Sequence, residues 1–149
     1  MSNDEKWMRI AIEEANLAMD KNEVPVGAVL VKNDKLIAQA HNKPITKNDP
    51  TAHAEIQLLR KAGEQQKNYR LPESTLYVTL EPCTMCFGAM VHARIDRIVY
   101  GASDPKTGVC GSRMNLNEEY FFNHKISITS GILEKESSEL LKLFFKSRR

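Results

Sequence analysis

The sequence predicts an α/β fold of three layers, in which a central mixed sheet of five strands lies between helices. Five short apolar segments rich in β-branched residues predict the strands, and segments with helical periodicity alternate with them. The first two strands follow one another across a short turn, which predicts an antiparallel hairpin. A hairpin followed by alternating helices and strands implies a mixed sheet with helices on both faces.

The first helix is predicted to begin at Ser2, which forms a capping box with Glu5. Pro25 ends this segment, because proline does not continue a helix. The apolar residues between them recur at helical spacing and should face the core. They are Met8, Ala11, Ile12, Ala15, Ala18 and Met19.

Residues 26–31 form the first predicted strand, and residues 36–40 the second. The pair Asn33 and Asp34 between them is typical of a hairpin turn. The segment 48–51, Asn-Asp-Pro-Thr, then predicts a helix start, and Gly63 a helix stop.

Residues 75–80 predict the third strand, after which a helix begins at Pro82 and runs to about Arg94. A fourth strand over 98–100 is closed by Gly101. The stretch 104–123 has little periodicity and is expected to be mainly irregular. A short strand over 126–128 and an amphipathic helix over 136–146 complete the prediction.

Length and composition predict a single domain over residues 1–149, since 42% hydrophobic residues can bury a core. No apolar run approaches the roughly 18 residues of a spanning helix, so no contact with a membrane is expected.

The polar, acidic N-terminus lacks the layout of a secretory signal. Three cysteines make a disulfide scaffold improbable, which favours the reducing cytoplasm. A net charge of +2 says little about polyanionic partners.

Two motifs carry the chemistry: His53-Ala54-Glu55 and Pro82-Cys83-Thr84-Met85-Cys86. One imidazole and two thiolates suit a single zinc ion per chain and leave its fourth position open for water. Glu55 lies beside the His ligand and can move protons to and from that water. Cys83 and Cys86 at a helix start are favoured as thiolates by the helix dipole.

Each motif has an ordinary interpretation when it is taken alone. The two cysteines also fit a redox pair or half of a zinc ribbon, His53 a hydrogen-bonded histidine, and Glu55 a first-turn acid. The combination of an HxE motif and a PCxxC motif, each at a predicted helix start, is what indicates zinc-dependent deamination of a nucleobase.

The chain resembles the bacterial tRNA adenosine deaminases over nearly its whole length. The matching segments are residues 23–29, 49–56, 68–71, 75–83, 106–108, 111–112, 144–145 and 148–149. The resemblance implies a cytidine-deaminase-like fold and zinc-dependent hydrolysis of adenosine to inosine at the wobble position of tRNA anticodons. It also implies that the partner is a tRNA anticodon stem-loop and that the protein is a homodimer whose two subunits share the tRNA site.

The resemblance further implies substrate contacts. Asn42 would hydrogen-bond the flipped adenosine, although the residues alone favour a turn-stabilising role for it. Phe145 and Arg149 would add stacking or backbone contact, with core packing and helix capping as equal alternatives. The full set of expected substrate-binding residues is Val26, Ala28, Asn42, Ala54, His92, Asp104, Lys106, Phe145 and Arg149.

Two features depart from the family pattern. Residues 117–122 are acidic and aromatic, and Phe87 is bulkier than expected after the second Cys ligand. Cys110 has no evident partner and is predicted to be a small buried or loop residue and not a ligand.

Two rival functions stay open on the residues alone. One is a deaminase for free cytidine, cytosine or guanine, and the other is a catalytically silent RNA-binding or structural zinc protein.

Overall fold

The computed structural model describes residues 2–119 and 122–148. Its centre is a mixed sheet of five strands in the order β2-β1-β3-β4-β5. β1 pairs antiparallel with both β2 and β3, and β4 runs parallel to β3 and β5. The strands are β1 Gly27–Lys32, β2 Lys35–His41, β3 Ser74–Leu80, β4 Arg97–Ala102 and β5 Ser127–Thr129. The predicted five-stranded mixed sheet is confirmed.

Helices cover both faces of this sheet, as predicted. They are α1 Asn3–Asp20, α2 Pro44–Lys47, α3 Ala54–Gln66, α4 Thr84–His92 and α5 Glu134–Lys146, with a 3-10 turn at Leu116–Glu118. Successive residues of β1 face the two helix layers in turn, because neighbouring side chains of a strand point to opposite faces of the sheet. Val29 and Val31 pack with α1, whereas Ala28 and Leu30 pack with α3 and α4.

The second predicted helix begins later than the sequence indicated. A short helix, α2, precedes the segment 48–51, and that segment is a turn in which the Asp49 carboxylate accepts the Thr51 N–H and hydroxyl at 2.8 and 2.7 Å. This local hydrogen bonding competes with helix formation. The predicted stop at Gly63 is also wrong. α3 continues to Gln66 and ends where Lys67 adopts a left-handed conformation, with φ of 54°.

Smaller differences concern β4, the last helix and the stretch 104–123. Gly101 lies inside β4 and does not close it. A Cβ atom at Gly101 would lie 2.7 Å from Ser137 Oγ and 2.9 Å from the Thr79 carbonyl, so glycine permits the close packing of α5. The last helix begins at Glu134, two residues before the prediction. The stretch 104–123 is mainly irregular where it is described, apart from the unpredicted 3-10 turn.

No helix in the described part of the chain is both long enough and apolar enough to cross a lipid bilayer.

One ion pair joins the start of α1 to three strands. The predicted cap is present, since Ser2 Oγ accepts the Glu5 N–H at 3.1 Å. In the first turn, Asp4 binds both terminal nitrogens of Arg97 at 2.9 and 2.7 Å and accepts the Tyr77 hydroxyl at 2.9 Å. Arg97 also donates to Thr129 at 3.0 Å. Hydrogen bonding to Arg97 lowers the pKa of Asp4 below its ordinary value of 3.8.

We expect Asp4→Asn to lower the free energy of unfolding by about 1 to 2 kcal/mol at neutral pH, because a partly exposed bidentate pair is lost. The pKa of Asp4 is depressed in the folded state, so its contribution is present above pH 3.8 and is lost as the pH falls through the folded value. Urea unfolding of both proteins at neutral pH and below pH 3.8 measures this. Asp34→Asn, in the exposed hairpin turn, is the control. A gap between wild type and Asp4→Asn that is equal at both pH values would contradict the assignment.

Candidate active site

The three predicted metal ligands meet at the starts of two helices. His53 is the N-cap of α3, Cys83 is the N-cap of α4, and Cys86 lies in the first turn of α4. Their ligand atoms all lie within 4.8 Å of one another. His53 Nδ1 is 3.6 Å from Cys83 Sγ and 3.5 Å from Cys86 Sγ. This donor set is suited to binding a metal ion.

The sulfur atoms of this cluster differ in acidity. Hydrogen bonds from Cys86 and, to a smaller extent, from His53 lower the pKa of Cys83 to about 4. The neighbouring Cys83 and burial raise the pKa of Cys86. The same contact with Cys83 raises the pKa of His53. These shifts favour the thiolate form at Cys83, and a bound cation would favour loss of the second thiol proton, from Cys86.

Glu55 lies in the first turn of α3 with only 4% of its surface exposed. Burial raises its pKa to about 7, and the nearby Cys83 thiolate acts in the same direction. A carboxyl group with a pKa close to neutrality can both accept and donate a proton, which is what general acid–base chemistry requires. The sequence placed Glu55 in this role, and the structure brings it to the metal cluster.

A cavity of about 190 Å³ opens beside the cluster. Of the expected substrate contacts, Val26, Asn42 and Asp104 line it, together with His53, Glu55 and Cys83. The side-chain oxygen of Asn42 accepts the Ala54 N–H at 2.8 Å, so Asn42 holds the start of α3.

Other expected contacts lie elsewhere. Ala28 is fully buried in the sheet core and does not line the cavity, because its position on β1 faces α3 and α4. The Ala54 side chain is also fully buried, and its N–H is what reaches Asn42. His92 opens into a groove beside α3, and Lys106 and Phe145 line a groove along α5. Arg149 lies outside the described residues.

Sequence reasoning missed four residues that line the cavity, the apolar Val24 and Leu80 and the polar Glu81 and Thr107. Glu81 is buried, and its place directly before the PCxxC motif was the available signal. Thr107 donates its hydroxyl proton to Asp104 at 2.8 Å.

Two further buried acids, also missed, support the loops around the cavity. Glu23 accepts the Ile45 N–H and both the N–H and hydroxyl of Thr46, at 3.2, 2.7 and 2.7 Å. Burial alone would raise the pKa of Glu23, but these hydrogen bonds outweigh it and lower the pKa. Glu14 contacts His41 at 2.8 Å, one residue before Asn42.

The departures noted in the sequence have structural counterparts. Phe87 is fully buried, and its ring meets Phe122 edge to face with centroids 5.6 Å apart. Its bulk therefore fixes one end of the acidic and aromatic loop; Tyr120 and Phe121 in that loop lie outside the described residues. Cys110 lies outside the metal cluster, and burial raises its pKa to about 12.

The sequence matches the MafB19-like deaminase family over residues 2–149. The chain is 53% identical to the tRNA-specific adenosine deaminase of Haemophilus influenzae over 147 residues, which cover 98% of this chain and 85% of that protein. It is 48% identical to the tRNA-specific adenosine deaminase of Bacillus subtilis, with 100% and 92% covered. The chain belongs to the tRNA-specific adenosine deaminase family.

Solved structures agree with this membership. One from a study of A-to-I editing by tRNA:A34 deaminases at the wobble position is 46% identical, covers 91% of this chain and 99% of its own, and has a TM-score of 0.89. The guanine deaminase of Nitrosomonas europaea is 22% identical, covers 94% and 83%, and has a TM-score of 0.79. That second likeness shows the fold alone. The resemblance and the cytidine-deaminase-like fold predicted from the sequence are confirmed.

In this family member, we expect Cys83→Ala to lose bound metal while keeping most of its helical circular dichroism. The large buried core does not depend on the ion, in contrast to a zinc finger. Metal content by mass spectrometry should fall from roughly one ion per chain to almost none. Cys110→Ala is the matched control, because it removes a thiol outside the cluster and should retain the metal. Global unfolding of Cys83→Ala would show that the ion holds the fold together.

Proposed function

We propose that this chain hydrolyses adenosine to inosine at the wobble position of tRNA anticodons, using one zinc ion per chain. The observation that carries the proposal is the buried Glu55 beside the His53, Cys83 and Cys86 cluster, at a cavity in a fold shared with tRNA-specific adenosine deaminases. The reaction adds water to the ring carbon that bears the amino group. Ammonia leaves, and a carbonyl oxygen remains on the base.

The donor set favours zinc. Imidazole and thiolate ligands suit a borderline ion, whereas magnesium and calcium prefer oxygen ligands. Within residues 2–119 and 122–148, no fourth His, Cys, Asp or Glu joins the group, which fits a catalytic site that keeps one position for water. When bound, zinc lowers the pKa of water to about 7, so that hydroxide can form at neutral pH.

Glu55 is the proton carrier. It accepts a proton from the attacking water and delivers it to a ring nitrogen. It then takes the proton of the hydroxyl group that has added to the ring carbon and delivers that proton to the departing amino group, which leaves as ammonia. A pKa of about 7 suits these transfers, because neither the protonated nor the ionised form is strongly favoured at neutral pH. Because Glu55 is buried, bulk water is kept away from it, and the protons that it transfers are not lost to solvent.

The cavity offers contacts for a single extruded base. Asn42 has its oxygen engaged by Ala54, so its amide nitrogen is the group placed to donate to a ring nitrogen of adenine. Val26 supplies an apolar wall.

A second surface, the groove along α5, is bordered by Phe145 and three lysines, Lys106, Lys142 and Lys146. An aromatic side chain among cations suits single-stranded RNA, since bases stack and phosphates are neutralised.

Two broader assignments accompany this function. Residues 1–149 form one zinc-dependent deaminase domain, supported by the family match over residues 2–149. The protein acts in the cytoplasm, where tRNA is found; its three free cysteines suit a reducing compartment.

The protein is a homodimer that uses the groove between α3 and α4. This groove is open, has a volume of about 850 Å³, and has apolar walls that include Leu59 and Ala89. Arg60 and Glu64 place opposite charges in the same groove, which suits a two-fold contact in which each copy offers the same surface to the other. His92 opens into this groove, so an RNA contact by His92 would lie at the subunit boundary.

Ala89→Arg should convert the dimer to a monomer in sedimentation velocity, because it puts an unpaired charge into the groove. The backbone should tolerate the change, since arginine favours helix and Ala89 is only half-buried. Leu17→Arg, at an exposed apolar position on α1, is the control and should leave the sedimentation coefficient unchanged. An Ala89→Arg protein that sediments like wild type would place the interface elsewhere.

Glu55→Gln should keep its zinc and lose turnover by at least about a hundredfold, because the amide cannot carry a proton. Mass spectrometry of the wobble base in an anticodon stem-loop measures inosine, beside parallel assays on free adenosine, cytidine and guanine. Glu13→Gln, an exposed site on α1, is the matched control. Full activity in Glu55→Gln would show that Glu55 does not carry the protons.

The wild-type protein distinguishes the rival functions. Turnover of free nucleosides or bases without RNA would favour the rival deaminase, and zinc binding without ammonia release would favour a silent RNA-binding protein.

A further inference from the structure

A second buried carboxylate, Glu81, lies in the wall of the same cavity. Only 3% of its surface is exposed, and it follows the last residue of β3 and stands two residues before Cys83. Burying a carboxylate is costly unless hydrogen bonds compensate for the lost water. The partners of Glu81 therefore indicate what it does.

In the described part of the chain, the hydrogen-bond partners of the Glu81 carboxylate all belong to one loop, residues 104–112. Oε1 accepts the Asp104 N–H at 3.0 Å and the Ser112 hydroxyl, and Oε2 accepts the N–H groups of Cys110 and Ser112 at 2.9 and 3.1 Å. Each oxygen thus takes two donors, which fills its usual capacity. Glu81 is consequently occupied as an acceptor, in contrast to the proton-carrying Glu55.

The loop also packs directly on this carboxylate. A Cβ atom at Gly108 would collide with the Glu81 carboxylate and would lie 2.6 Å from the Asp104 carbonyl. The next residue, Val109, donates its N–H to the Pro82 carbonyl at 3.1 Å. The loop is therefore fastened to Glu81 and Pro82 along most of its length, immediately beside the ligand Cys83.

Within the loop, a second carboxylate arranges the cavity-lining residues. Asp104 accepts the N–H groups of Lys106 and Thr107 at 3.0 and 3.2 Å and the Thr107 hydroxyl at 2.8 Å. Asp104 and Thr107 both line the cavity. A shift of the loop on Glu81 would therefore change the wall that faces Glu55 and the metal ligands.

We propose that Glu81 is a positioning residue, which holds the loop 104–112 at a fixed place relative to Cys83 and so shapes the substrate cavity. It acts only as a hydrogen-bond acceptor and carries no proton in the reaction. An amide cannot replace it, because its NH₂ group would face backbone N–H donors. The consequence for catalysis rests on the proposed function, whereas the anchoring of the loop does not.

Hydrogen exchange of the zinc-loaded protein tests the anchoring directly. In Glu81→Gln, the amides of Asp104, Cys110 and Ser112 should exchange roughly tenfold faster or more, since each loses a charge-assisted acceptor. Exchange in β3 and α4 should stay unchanged, and so should zinc content. On the anticodon stem-loop, kcat/KM should fall roughly 10- to 100-fold, mainly through KM, because the loop contacts substrate and does not take part in proton transfer.

Three further variants complete the test. Glu81→Asp keeps the charge and should restore part of the protection. Ser112→Ala removes only the hydroxyl donor and should produce a smaller increase in exchange, confined to the loop. Glu13→Gln makes the same chemical change at an exposed site on α1 and should match wild type.

The outcomes separate the two proposals. Unchanged loop exchange in Glu81→Gln overturns the positioning role, whatever the activity. If Glu81→Gln fails to fold, Ser112→Ala decides: faster exchange confined to the loop supports the role, and unchanged exchange overturns it. A wild-type protein that is inactive on the stem-loop would refute the proposed function, while the exchange data would still judge the role of Glu81.

Discussion

The geometry of the site depends on one constraint: each of the two helices on one face of the sheet begins at a residue that is suited to bind the metal. His53 and Cys83 are N-caps in extended conformation, so the backbone places their side chains before either helix turns away. The bond from Ala54 N–H to Asn42 ties the start of α3 to the end of β2. β2 and β3 both pair antiparallel with β1 and therefore run in the same direction, so α3 and α4, which follow them, begin at the same end of the sheet.

The buried acidic residues around this site fall into two groups, according to how many hydrogen bonds their carboxylates accept. Glu14, Glu23 and Glu81 each accept hydrogen bonds from groups on other parts of the chain, and they hold strands and loops together. Hydrogen bonds outweigh burial at Glu23 and lower its pKa, whereas burial prevails at Glu55 and raises its pKa to about 7. The same side chain can thus hold structure together or, as we propose for Glu55, carry protons, according to the hydrogen-bond donors around it.

The sequence predicted the sheet, the helices and the metal cluster, because these depend on local periodicity and on residue types with specific chemistry. It misplaced the start of α3, since the Asp49 and Thr51 turn depends on a local hydrogen bond that competes with the helix. It placed Ala28 at the site, although strand alternation turns that residue toward the core. Glu81 went unnoticed because its partners lie more than twenty residues away. Its place before the PCxxC motif suggested nearness to the site but could not indicate these contacts.

The antiparallel pairing of β1 with β3 sets the order in which the parts of this protein can assemble. It joins Ala28 to Val78, and the segment between them includes β2, α2 and α3. His53 lies within the segment that this pairing closes, and Cys83 lies beyond it, thirty positions further along the chain. Closing so long a loop costs entropy before any contact repays it, so we expect the centre of the sheet to form late in folding. A metal ion that binds only the assembled His53, Cys83 and Cys86 cluster would slow unfolding and leave the folding rate nearly unchanged.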